Sequence, residues 1–99
     1  MGVINQFIHR AERGQKEDVD YLMSRLTKDA TIATTRFADY ALSFVHSREG
    51  IERMEYYLFN GTLMQRNYST LYFNRKGDWK IVKRAYEMGL IDEIQVYSR

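Results

Sequence analysis

Apolar residues recur along this chain at steps of three and four, the period of an amphipathic helix. Val3, Ile4, Phe7, Ile8 and Ala11 open the pattern and Gly14 stops it. Glu17 and Asp18 begin a second stretch with Val19, Leu22, Met23 and Leu26 on one face; acidic residues suit the positive end of a helix. A third runs from about Ala30 to Val45, carrying Ile32, Phe37, Ala38, Ala41 and Leu42, with Thr27 or Asp29 as its cap. Ser47 stands as N-cap to a fourth, which carries Ile51, Met54, Tyr56, Tyr57 and Leu58 and closes at Asn60-Gly61. Thr62 with Gln65 reads as a capping box, opening a helix through Met64, Tyr68, Leu71 and Tyr72 to Gly77. Asp78 caps the sixth, in which Trp79, Val82 and Tyr86 share a face and which Gly89 ends. Asp92 begins a last turn carrying Ile94, Val96 and Tyr97.

Residues 68–82 admit a second reading. Tyr68 to Asn74, a turn at Lys76-Gly77-Asp78 and Trp79 to Val82 have the residue types of a β-hairpin. A chain with that hairpin resembles the α+β cone of the SnoaL-like family, which implies a pocket for a small ligand or an enzymatic activity. Adjacent Ile81 and Val82 break strict alternation, and Arg84 to Gly89 reads as a helix end. Six short helices are therefore the preferred reading, arranged as three helical hairpins. We expect one domain over residues 1–99, with hairpins at about 3–26, 30–59 and 62–89 and a short tail at 90–99.

Composition narrows the chemistry. The chain has 99 residues, no cysteine and no proline. Without cysteine there is no disulfide framework, thiolate metal site or thiol nucleophile; without proline no position forbids a helix. The N-terminal apolar stretch is too short for a signal peptide. Gln6 stands where N-myristoylation wants serine or threonine. No apolar run approaches the roughly 20 residues that span a bilayer. The expectation is a soluble, cytoplasmic protein without a membrane partner.

The punctuation repeats. Arg36 and Arg66, Ser47 and Gly77, Ile51 and Ile81, and Tyr56 and Tyr86 each lie 30 residues apart. A two-helix unit at fixed period is the mark of a small α-solenoid. Met64-Gln65-Arg66, Leu71-Tyr72 and Gly77-Asp78, with Thr35-Arg36, Ala38, Ala41-Leu42 and Ser47-Arg48 as the earlier copy, resemble the short HEAT-like repeat of the bilin-lyase type. The resemblance spans residues 31–91. It departs from the family at Tyr68, where a small residue is usual, and at Ser47-Arg48 in place of Gly-Asp. It implies an all-α scaffold that binds other proteins.

Candidate chemistry is sparse. His9 and His46 each precede a glutamate by three residues, the reverse of the order in carboxylate-bundle metal sites, so we expect no metal and no cofactor. Glu49, Glu52 and Glu55 alternate with Arg48 and Arg53 and read as a solvated ion-pair face. No phosphate loop or nucleophile elbow occurs, so we expect a non-catalytic protein. The expected binding residues are Tyr40, Tyr56, Tyr57, Tyr72 and Tyr86, which together with Tyr97 are too many for so small a core to hide, with Arg36 and Arg66 as a polar ladder or recognition pair. Net charge is +2, but Arg75, Lys76, Lys80, Lys83 and Arg84 against Asp78 give +4 within ten residues. With Trp79 and Tyr86 beside them, these cations form the candidate nucleic-acid contact. The principal expectation is an interaction module for another protein or a second copy of itself; nucleic-acid binding is the alternative.

Overall fold

In the computed structural model, which describes residues 2–99, the chain is all-α. The helices are α1 (Val3–Arg13), α2 (Lys16–Met23), α3 (Ile32–Leu42), α4 (Arg48–Asn60), α5 (Leu63–Lys76), α6 (Trp79–Glu87) and α7 (Glu93–Val96). No strand occurs among the described residues, and residues 68–82 form α5, a turn and α6. The α+β cone is thereby excluded. Gly77 is the physical reason: at φ 87 and ψ 13 it takes the left-handed conformation that ends α5, and its N–H closes on the Asn74 carbonyl. The tail that we expected to be a short turn is a seventh helix, capped by the Asp92 carboxylate, which accepts from the Gln95 N–H at 2.8 Å.

Helix starts keep a regular step. Val3, Ile32, Leu63 and Glu93 follow one another at 29, 31 and 30 residues, and Lys16, Arg48 and Trp79 at 32 and 31. Capping chemistry sets these starts. The Thr31 hydroxyl accepts from the Thr34 N–H at 3.0 Å, so the third helix is capped by Thr31 and not by Thr27 or Asp29. Thr62 and Gln65 form the expected reciprocal box, with bonds of 3.1 and 2.9 Å. Ser47 accepts from the Gly50 N–H at 3.0 Å, as an N-cap should. Asp78 occupies the cap position of α6, but its side chain makes no capping bond.

The chain divides into two compact units, one ending at Met54 and the other running from Glu55 to Arg99. In the first, α1 packs on α2 and α3, and α2 touches α3. Phe7, Ala11, Val19, Leu22, Met23, Ala38, Ala41, Leu42 and Val45 are buried there. In the second, α5 packs on α6 and α7, which also touch each other, and Tyr72, Phe73, Ile81, Val82, Ala85 and Ile91 are buried. α5 hides small polar groups as well: Ser69, Thr70 and Asn74 are all buried. No helix among the described residues is long and apolar enough to cross a membrane.

Candidate binding groove of the C-terminal unit

Helix α6 is built with two faces. Ile81 and Ala85 are buried, as is Val82 at the edge of the second face. Trp79, Val82, Lys83 and Tyr86 follow at i, i+3, i+4 and i+7 and so form one stripe. Trp79 is 57% exposed and Tyr86 42%. The sequence pattern placed Trp79, Val82 and Tyr86 on one face, and the structure agrees.

The opposite wall comes from α7 and the residues after it. Val96, Tyr97 and Arg99 face the α6 stripe across a groove of about 460 Å³. Tyr97 is 75% exposed. The Arg99 guanidinium carbon lies 5.4 Å from the centre of the Trp79 ring, close enough for a cation–π contact. Two cations, Lys83 and Arg99, thus stand at a groove lined otherwise by valines, aromatic rings and Asn74, with no acidic side chain among the described residues that line it.

Asn74 fixes this geometry. It lies at the base of the groove and is almost fully buried. Its Nδ2 group donates to the carbonyls of Val96 at 2.8 Å and Ser98 at 2.6 Å, with a longer contact to Gln95 at 3.4 Å. Those carbonyls end a helix of one turn, whose own hydrogen bonds would not hold it. The Asn74 Oδ1 atom is buried without a hydrogen-bond partner. Sequence reasoning passed over Asn74 and Arg99, and counted Tyr97 only among the tyrosines too numerous to bury. A polar residue late in α5 was the available signal, because a helix interior disfavours asparagine unless its side chain has work elsewhere.

The other candidate residues belong to both units. Tyr40 is exposed and packs edge-on against Phe44, with ring centres 5.3 Å apart. Tyr56 is exposed and meets Tyr57 in the same manner at 5.3 Å. Tyr72 does not reach the surface: α5 is enclosed along this stretch, and desolvation pushes the phenol up to about 12. Arg75, Lys76, Lys80, Lys83 and Arg84 are all exposed. Lys76 lies over the Tyr72 ring at 5.7 Å and Arg84 over Phe59 at 4.9 Å.

Arg36 belongs to the N-terminal unit and Arg66 to the C-terminal unit. Arg36 is exposed, while the Arg66 Nη1 group donates to the Gly61 carbonyl at 3.3 Å, across the turn that precedes its own helix. A ladder exists elsewhere, in the N-terminal unit, with a step of 33. The Ser47 hydroxyl donates to the Gly14 carbonyl at 2.5 Å, Glu49 accepts from the Lys16 N–H at 2.6 Å, and Arg53 donates to Asp20 at 2.6 Å. Glu49 and Arg53 therefore reach to α2, and Arg48 and Glu52 pair along their own helix as expected, at 3.6 Å.

Among the described residues, no three His, Cys, Asp or Glu side chains come together as a metal site would require. Comparison with protein-family models, curated proteins and solved structures returns no match for the chain.

Proposed function

We propose that this protein is a non-catalytic interaction module of HEAT-like type that holds another protein in the groove between α6 and α7. One observation carries the reading: Trp79, Tyr86 and Tyr97 leave large ring areas open around a single concavity with two cations at its edge. Rings of this kind give up little side-chain entropy on binding and are favoured anchors at interfaces. The turn-punctuated helix pairs suit a scaffold role.

A photo-crosslinking residue placed at Tyr97, with Tyr40 as the control position, tests the proposal in cells. A partner captured from Tyr97 and not from Tyr40, and lost when Trp79 is also replaced by alanine, supports it. Capture of a second copy of the chain alone turns the reading to self-association. Nucleic acid is the second reading, favoured by the exposure of all five cations between Arg75 and Arg84; crosslinks to nucleic acid alone would establish it instead.

A further inference from the structure

We infer that the occupant of the groove is an acidic segment of a partner protein that inserts an aromatic or branched apolar side chain among Trp79, Tyr86 and Tyr97. The inference rests on the interaction reading above and names the chemistry of its partner. Three features select that occupant.

Volume comes first. About 460 Å³ falls within the usual range for a specific small site. It is room enough for one or two large side chains, and Val82 and Val96 make its inner walls apolar. Charge is the second. Lys83 and Arg99 stand at the groove, and Arg75, Lys76, Lys80 and Arg84, with Asp78 among them, are exposed on the turn and helix that carry Lys83. Lys80 and Lys83 are exposed and take part in no ion pair among the described residues. An acidic chain flanking the anchor would meet these cations at the rim, where opposite charge steers encounter and sets specificity.

The third feature is the means by which the groove is kept in shape. Asn74 holds the carbonyls of Val96 and Ser98, so the Tyr97 wall stands before a ligand arrives. A preformed wall lowers the ordering cost of binding. Single-stranded nucleic acid is less well matched, because it needs a basic track with stacking rings spaced along it, whereas here the three rings surround one concavity. Asn74 is accordingly a positioning residue that acts through α7.

Trp79 is the sole tryptophan, so its emission reads the groove directly. The probes are an acidic octapeptide with two phenylalanines among aspartates and glutamates, the same peptide with the acids replaced by asparagine and glutamine, a third with the phenylalanines replaced by alanine, and oligothymidylate. The expected result is a saturable emission change with the acidic phenylalanine peptide. The neutral and the alanine peptides should bind at least about tenfold more weakly. Lys83→Glu combined with Arg99→Glu should weaken the acidic peptide by a similar factor while the circular dichroism stays unchanged, since both side chains are exposed. Asn74→Ala should also weaken it without altering its dependence on salt, which a charge-contact role would change.

Equal binding of the neutral and acidic phenylalanine peptides would overturn the acidic occupant and leave the interaction module standing. Binding of oligothymidylate without any peptide would overturn both in favour of nucleic acid. Silence towards every probe would also overturn both.

Discussion

Each unit sets arginine against an aromatic ring, and the two settings differ. In the N-terminal unit the guanidinium carbons of Arg10 and Arg25 lie 3.9 and 4.4 Å from the centre of the Tyr21 ring, and Phe7 meets that ring edge-on at 5.9 Å. Arg10 also reaches Asp18 at 3.6 Å, where Arg13 makes a bond of 2.6 Å. Rings and charges there tie one helix to the next. In the C-terminal unit Arg99 covers Trp79 at 5.4 Å, and more than half of the Trp79 surface stays open. The same interaction that completes a structure in one unit borders an open groove in the other. Exposure separates the roles more than residue type does.

The largest expected effect comes from breaking the turn-to-turn contact of the N-terminal unit. Gly14 sits at φ 63, and a Cβ there would collide with the Ser47 hydroxyl. A Cβ at Gly50 would come within 2.6 Å of the Val45 side chain and 3.0 Å of the Gly14 carbonyl. Gly14→Val should therefore cost about 2–3 kcal/mol in urea unfolding, from backbone strain and overpacking together. The groove itself contains none of these atoms.

A smaller effect separates the units by acid. Asp18 has no solvent exposure and accepts from Arg13 and from the Gln15 N–H at 3.2 Å. The Arg13 hydrogen bond, opposed by desolvation and helped by the Gln15 N–H and by the Arg13 and Arg10 charges, holds the Asp18 carboxyl below the usual carboxylate range. The stability it supplies is thus fully present above the ordinary carboxylate pKa of about 4 and is lost as pH falls through the depressed native value. Asp18→Asn should cost roughly 1–2 kcal/mol at neutral pH. In thermal melts between pH 7 and pH 2, its deficit against the parent protein should shrink steadily with acid.

The C-terminal unit has the converse sensitivity. Burial raises the Tyr72 phenol to about 12, so between the ordinary tyrosine value of about 10 and that pH the unfolded chain ionises first. Stability contributed by the neutral phenol is complete below about pH 10 and declines as pH rises through this window. Tyr72→Phe should flatten that decline in alkaline melts, with the smallest change of the three at neutral pH.

How legible each unit was follows from which interactions are local. Helix starts and stops depend on residues within one turn, so Thr62 with Gln65, Ser47, Gly14 and Gly77 could be read along the chain. Asp78 misled because it occupies a cap position without making the bond. The ladder was missed for a different reason. Its pairs, Lys16 with Glu49 and Asp20 with Arg53, recur at 33 residues, whereas the step read from Arg36 and Arg66 was 30. Asp20 with Arg53 was the charge signal at that longer step, whereas Glu49 takes the backbone N–H of Lys16, a bond that no side-chain pattern encodes.

The groove was half legible. Helical periodicity placed Trp79, Val82 and Tyr86 together, since that wall lies on one helix. The facing wall depends on Asn74 meeting carbonyls 22 and 24 residues further on, a pairing that no local pattern encodes. Tyr72 shows the reverse. Counting tyrosines against core size called for several at the surface, yet the enclosure of α5 decided which ones were hidden.

The central claim is that the C-terminal groove, and not the scattered tyrosines of the N-terminal unit, receives the partner. Backbone and side-chain NMR of the labelled protein, titrated with the acidic phenylalanine peptide, tests it most directly. The account predicts saturating shifts at Trp79, Val82, Lys83, Tyr86, Val96 and Tyr97, with Tyr40 and Tyr21 unmoved. Shifts centred on Tyr40 or Tyr21, or no saturating shift within the groove, would contradict it.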